Sequence, residues 1–275
     1  IFGTLIFSTM LGILYPLIYE YLYLQKISVG APFYNAIFVP STILAALFLF
    51  FSIDSKWQRT YKIVNTYSPM ILSVILSLLI TVLVAILYKI SNLWILVSLY
   101  TGFLIIIRYI FVIFNFFFRS KYSNPYSISA HIGLGLLIVS IALNSEFSSE
   151  RAINIKLKGN DTYMGHEINF DNLELIKMSN HDSVRASFIV NDPKGKRFIL
   201  SPEKRKYFTR GQITTETAIH ATPLKDIYIT LGDQLDDGSW IVNIQFNYFI
   251  RWVWFSAILM ALAGSLLAFS LRRAN

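Results

Sequence analysis

The sequence predicts a polytopic α-helical membrane protein of about six transmembrane helices with one small extracytoplasmic β domain. Two observations carry this prediction. The first is six runs of about 18 or more mostly apolar residues in a chain that is 55% hydrophobic and only 15% charged. A hydrocarbon core of about 30 Å demands helical runs of about that length, because each residue rises about 1.5 Å. The second is a single stretch, 146 to 248, in which the apolar period changes from helical to alternating.

The spans are placed near 1–18, 35–53, 68–88, 92–117, 127–145 and 249–271. The domains follow as 1–145 for five helices, 146–248 for the β domain, and 249–275 for the last helix with a short cytoplasmic tail. Pro16, Pro40 and Pro69 are expected at or near span ends, where neighbours or water can satisfy the freed backbone groups. The chain opens at Ile1 inside an apolar stretch with no basic leader. It is therefore read as a fragment, or as a subunit whose partner carries the rest.

Charge assigns the sides. Lys56, Arg59 and Lys62 follow the second span, Arg119 and Lys121 the fourth, and Arg272 and Arg273 the last, all at one side of the membrane. The positive-inside rule makes that side cytoplasmic, so the turn from Lys26 to Asn35 and the β domain face the opposite compartment. The net charge of +8 resembles a nucleic-acid signal only until it is divided. Residues 146–248 hold 13 Lys and Arg against 14 Asp and Glu, and the rest holds 11 against 2. The excess thus flanks the spans, which fits a lipid bilayer and excludes a nucleic-acid partner. With no cysteine in the chain, any thiol chemistry belongs to a partner or substrate.

Within 146–248, Ile153, Ile155 and Leu157 alternate with Asn154, Lys156 and Lys158. Gly159-Asn160-Asp161, Asp192-Pro193-Lys194-Gly195 and Asp236-Asp237-Gly238 are turn signals between such runs. About seven strands in a sandwich or open barrel are expected.

Three of the four histidines, His166, His181 and His220, lie in this domain near turn signals and are expected to be solvated surface residues. His131 differs, since it stands in an apolar span about one turn from the cytoplasmic end. Ionisable groups at that depth are functional by default. Three roles remain open from the residues alone: an interhelical hydrogen bond, a proton relay, and a metal or heme ligand. A neutral imidazole giving one nitrogen to iron avoids burying a charge. Gly133 and Gly135 could admit a flat plane beside it, or simply a neighbouring helix. Arg108, inside the fourth span, calls for a carboxylate, carbonyl or bound anion such as a propionate. Arg251, beside Trp252 and Trp254, reads mainly as an interfacial anchor, with propionate binding as the alternative.

An ordered set of short blocks then resembles one family. Gly3-Thr4 with Leu14-Tyr15-Pro16, Lys26 to Asn35, and Ser129-Ala130-His131-Ile132-Gly133 are similar to the second half of the CcmF-type cytochrome c maturation proteins. Pro202 to Tyr207, Thr215 to Ile219, Asp226-Ile227-Tyr228, Leu231-Gly232 and Arg251 to Trp254 continue the match in the family's order, over nearly all 275 residues.

The resemblance implies part of a heme lyase in the bacterial cytoplasmic membrane, or in the inner membrane of mitochondria that kept this pathway. Family members take heme from a chaperone and join it to an apocytochrome c. They hold a b-type heme between two transmembrane histidines, thought to reduce the incoming heme, and His131 matches one of them. Heme b is accordingly the implied cofactor. The implied partners are the amino-terminal half (or a separate subunit carrying it), other cytochrome c maturation subunits, the heme chaperone and apocytochrome c.

Departures matter too. The family's tryptophan-rich motif, its two outer histidines and its other transmembrane histidine belong to the first half, and Trp252 and Trp254 do not replace that motif. Ala31 stands where a second proline is expected. The chain is therefore expected to need the other half for any ligation. The segments 202–207 and 215–219 could dock a partner, although plain solvated surface is the expected reading. A transporter subunit with His131 and Arg108 lining a path is the competing functional class.

Overall fold

The computed structural model describes residues 1–52, 67–119, 124–209, 211 and 213–274. It divides into two compact units, one of residues 1–146 with 252–275 and one of residues 147–251.

The first unit is helical: α1 (Phe2–Tyr23), α2 (Ala31–Ser52), α3 (Tyr67–Tyr88), α4 (Leu93–Arg119), α5 (Pro125–Phe147) and most of α6 (Ile250–Ala274). All six are long and apolar enough to span a membrane. The expected spans are recovered, but α1 runs five residues past its expected end because Glu20 interrupts the hydropathy without breaking the helix. Tyr15, Tyr19 and Tyr23 stack along one face there, with ring centroids 6.0 and 4.6 Å apart. Leu24 ends the helix in the left-handed region, returning its N–H to the Glu20 carbonyl.

Two prolines correct the sequence reading. Pro16 and Pro40 lie inside α1 and α2 rather than at their ends. In a membrane the surrounding helices and local adjustments can satisfy the carbonyl that each frees. Pro69 is in the first turn of α3, where its missing N–H is no loss. Asparagines start the next two helices. Asn92 accepts from the Trp94 and Ile95 amides at 3.0 and 3.5 Å, and Asn124 accepts from Tyr126 at 3.0 Å with Pro125 opening α5.

At the centre of this unit α4 meets α2, α3 and α5. Ala46, Ile105, Tyr109, Ile128 and Ile138 form a buried cluster drawn from α2, α4 and α5. Against α3, small side chains do the packing. Ser73, Ser77 and Thr81 are buried one turn apart, each returning its hydroxyl to its own helix at 2.7–3.0 Å. The expected basic clusters at Lys56, Arg59, Lys62 and Lys121 lie outside the described residues, as do the side chains of Arg119, Arg272 and Arg273.

The second unit is a β-sandwich. Its strands are β1 (Ser149–Ile155), β2 (Asn160–Tyr163), β3 (His166–Lys177), β4 (His181–Asn191), β5 (Arg197–Leu200), β6 (Glu203–Tyr207), β7 (Ile213–Glu216), β8 (Ala218–Ala221), β9 (Lys225–Gln234) and β10 (Trp240–Tyr248). One sheet has the order β1-β10-β9-β8, and the other β2-β3-β4-β6-β7 with β5 also on β4. Every described pairing is antiparallel. The core between them holds Ile168, Phe170, Phe188 and Val190 from one sheet against Ile229, Leu231, Val242, Ile244 and Phe246 from the other. Alternation along β9 and β10 places those side chains inward, as a period of two requires.

Among the described residues ten strands are seen where about seven were expected. The excess comes from β5 to β8, pieces of four or five residues too short to show a period. Leu157 is a second correction, since β1 ends at Ile155 and leaves Leu157 46% exposed in the turn. Asn160 and Asp161, expected in a turn, instead open β2, while the turn signals at 192–195 and 236–238 hold. Asp192 accepts from the Lys194 and Lys196 amides, and Gly195 and Gly238 take φ of +81° and +80°, which glycine adopts without strain.

Candidate functional site

His131 is the seventh residue of α5, so about 9 Å of helix separates it from Pro125. The preceding turn of the helix sets its tautomer. Its Nδ1 lies 2.6 Å from the Ser127 carbonyl oxygen and 3.2 Å from the Ser127 hydroxyl. A carbonyl only accepts, so Nδ1 carries the proton and the Nε2 lone pair is left to bind something else. This is the arrangement by which an outer partner orients a metal-binding imidazole. The residue is half-buried. Among the described residues no group of three metal-binding side chains occurs.

The ring of Tyr109, itself 6% exposed, stacks on the imidazole, with centroids 4.8 Å apart and planes within 5°. That stack belongs to a longer antiparallel contact between α4 and α5. A Cβ built on Gly102 would meet Val139 Cγ2 at 2.6 Å and the Gly135 carbonyl at 3.0 Å. One built on Gly135 would meet Ile106 Cγ1 at 2.7 Å and the Gly102 carbonyl at 3.0 Å. The contacts descend α4 through Gly102, Ile106 and Tyr109 as they climb α5 through Val139, Gly135 and His131. Gly133 faces a different helix, where a Cβ would lie 2.7 Å from Met260 Cγ and 3.2 Å from the Ser256 carbonyl of α6. Of the two sequence readings for these glycines, close helix packing therefore accounts for both. Gly135 lets α4 approach α5 closely.

Arg108 is 2% exposed and precedes Tyr109, so a permanent cation is buried one residue from the stack. Arg251 is committed within the β-sandwich unit: its Nε donates to buried Asp226 at 2.9 Å, and Asp226 also accepts from the Thr222 amide at 3.3 Å.

One β-domain histidine corrects the sequence reading. His166 is 2% exposed, not solvated. It donates from Nδ1 to the Met164 carbonyl at 2.9 Å, and its Nε2 accepts from Lys225 Nζ at 3.0 Å. Burial, together with the nearby ammonium, pulls its pKa below the ordinary value, and burial also lowers that of Lys225. His220 lies flat on Phe198 at 3.8 Å, and His181 sits 5.2 Å from the Tyr207 ring. Nothing local announces these contacts, since His166 and Lys225 are 59 residues apart in sequence.

Nor is 202–207 plain surface. Glu203 is 7% exposed and accepts from Arg185 Nε at 2.5 Å and Arg205 Nε at 2.9 Å, while Arg205 also reaches Glu216 at 3.4 Å. Lys204 pairs with Asp233 of β9. These ion pairs tie β6 to β4, β7 and β9. Burial raises the pKa of Glu203, but the guanidinium hydrogen bonds outweigh it and the net shift is downward. A depressed carboxylate stabilises the fold above its unfolded pKa of about 4 and loses that contribution as pH falls through the lower folded value. Acid unfolding of the full chain should thus steepen below about pH 4, and Glu203→Gln should flatten that limb. An unchanged acid limb in pH-dependent denaturant titrations would dismiss the assignment.

With this geometry in place, comparison with known proteins gives a consistent result. Residues 146–247 match the family model described as the CcmF C-terminal beta-sandwich. The chain is 30% identical over 277 aligned residues to the cytochrome c-type biogenesis protein CcmF of Escherichia coli K12, and 28% identical to that of Pseudomonas aeruginosa. Each alignment covers 96% of this chain and 41% of the relative, so the chain spans about two fifths of the length of the curated relatives it matches. A solved structure of the cytochrome c heme lyase CcmF superposes with a TM-score of 0.73 over 95% of this chain and 43% of that one, at 15% identity. That likeness is one of fold.

Proposed function

We propose that this chain, which corresponds to the carboxy-terminal part of CcmF-type proteins, supplies one axial imidazole, from His131, to a heme b within the membrane. It does so as a component of the lyase that attaches heme covalently to apocytochrome c. The observation that carries the reading is the 2.6 Å bond from Nδ1 to the Ser127 carbonyl, which leaves Nε2 as the free donor atom in an apolar helix.

The residues present fit such a group. Neutral imidazole nitrogen is a proper donor for heme iron and places no charge in the membrane. When bound, a b-type heme supplies one-electron chemistry, here directed at the iron of the incoming heme. Around it this chain's own residues hold the imidazole tautomer (Ser127), set its plane (Tyr109) and contribute a buried cation (Arg108) suited to a propionate. Arg251 is the weaker propionate candidate because its Nε is already engaged by Asp226. The partners follow from the same reading: the amino-terminal part of the protein or a subunit carrying it, other cytochrome c maturation subunits, a heme chaperone and apocytochrome c. The loop charges support a periplasmic side for the β-sandwich.

The test is spectroscopic. The chain purified with its amino-terminal part should give the reduced-minus-oxidised spectrum of a low-spin b-type heme, and His131→Ala should abolish it. Survival of that spectrum in the variant would end the ligand assignment and return His131 to a relay or transport role.

A further inference from the structure

We infer that Tyr109 is a positioning residue for His131, fixing the plane of the imidazole while Ser127 fixes its tautomer; this rests on the ligand reading above. An imidazole on a helix keeps two torsions, about Cα–Cβ and Cβ–Cγ. The bond from Nδ1 to the Ser127 carbonyl at 2.6 Å anchors one edge of the ring, yet leaves it free to tilt about that anchor. Tyr109 removes the tilt. Its ring covers one face of the imidazole at 4.8 Å and 5°, so rotation of His131 drives an edge into an aromatic plane.

Tyr109 is itself held. It is 6% exposed and packs in the cluster with Ala46, Ile105 and Ile128, from three different helices. The height of its ring over the imidazole is set by the distance between α4 and α5, which Gly102 and Gly135 hold to carbonyl contact. The result is a chain of hard contacts from the helix crossing to the ring plane. Ordinary core packing would not need a parallel stack on the one intramembrane histidine seen among the described residues.

The plane of an axial imidazole matters because its π orbital overlaps the iron d orbitals differently at each rotation angle. Turning the ring changes the d-orbital splitting, and with it the g-anisotropy of the ferric state and the redox potential. Tyr109 touches neither iron nor substrate in this proposal, and acts through His131.

The experiment uses the chain assembled with its amino-terminal part. Ferric electron paramagnetic resonance and a redox titration are recorded for the unaltered protein, Tyr109→Phe and Tyr109→Met. Phenylalanine keeps the stacked ring, so its g-values and midpoint potential should match the unaltered protein. Methionine has similar reach without a plane. It should retain heme but shift or broaden the largest g-value and move the midpoint potential beyond the spread of repeat titrations. Heme loss in Tyr109→Met with full retention in Tyr109→Phe would support the same role more strongly. Identical signals in Tyr109→Met and the unaltered protein would overturn it, as would a Tyr109→Phe signal as altered as that of methionine. The ligand reading fails separately, by heme retention in His131→Ala, which leaves the Tyr109 result without bearing on it.

Discussion

Phe188→Ala is expected to destabilise the β-sandwich by about 3–5 kcal/mol, the range for removing a fully buried phenylalanine. Phe188 has no exposed surface and lies in the middle of β4. Its neighbours across the sheet are Phe170 on β3 and Leu200 on β5, both buried, and its ring stacks on Phe170 at 4.7 Å. Truncation therefore opens a cavity that the strands cannot close without losing register, because slipping by one residue would turn every inward side chain outward. The loss of the aromatic pair adds about 0.5–1.5 kcal/mol beyond the buried area. Hydrogen exchange of the β4 and β10 amides in the full chain measures the effect locally. Leu175→Ala is the internal control: it lies on β3 but is 80% exposed, and its change should stay within about 0.5 kcal/mol. A loss below about 1 kcal/mol for Phe188→Ala would mean that the two sheets are not closely packed there.

The parts of the fold written in short-range pattern were legible in the sequence. Six spans are a matter of length and apolarity. The turns at Asp192–Gly195 and Asp236–Gly238 were legible because an Asx carboxylate and a positive-φ glycine are local requirements. One failure depended on partners distant in sequence, and two on where an element starts or stops. His166 is polar and sits beside a turn, yet Lys225 and Phe246 bury it from another sheet. Leu157 continues an alternating pattern that the chain abandons at Ile155 to form a turn. Pro40 reads as near a span end because that span is started near residue 35, whereas α2 begins at Ala31 and takes the proline inside.

At the site the same division holds. His131 stood out because an imidazole in an apolar span is unusual, and its Ser127 partner is one turn away. Tyr109 did not stand out, since it was seen only as the neighbour of Arg108. The signal for it was present but needed two helices at once. Gly102, Ile106 and Tyr109 follow one another at helical spacing on α4, and Val139, Gly135 and His131 do so in reverse on α5. Small residues on both helices mark a close crossing. Only the antiparallel pairing of α4 with α5 turns that mark into a contact with the imidazole.

Gly135→Leu should therefore impair the heme site without touching any of its atoms. The first carbon added would fall 2.7 Å from Ile106 Cγ1 and 3.0 Å from the Gly102 carbonyl, and a backbone carbonyl cannot swing aside as a flexible side chain can. Overpacking of this kind costs about 1–3 kcal/mol, and α4 must retreat from α5 to relieve it. Retreat lifts Tyr109 off His131. If even half of the upper figure falls on heme binding, occupancy in the assembled protein drops by about tenfold at limiting heme. Gly133→Leu separates this effect from general damage, because its added carbons meet Met260 and the Ser256 carbonyl of α6 instead. It should disturb the α5–α6 contact while leaving the Tyr109–His131 stack in place. Gly3→Ala and Gly264→Ala, where nothing lies within 4 Å of the new carbon, should leave heme content unchanged. Heme per assembled protein, read by pyridine hemochrome, ranks the four variants. Equal losses in Gly133→Leu and Gly135→Leu would show that heme retention follows bundle stability in general, and the link from the α4–α5 crossing to the imidazole would have to be given up.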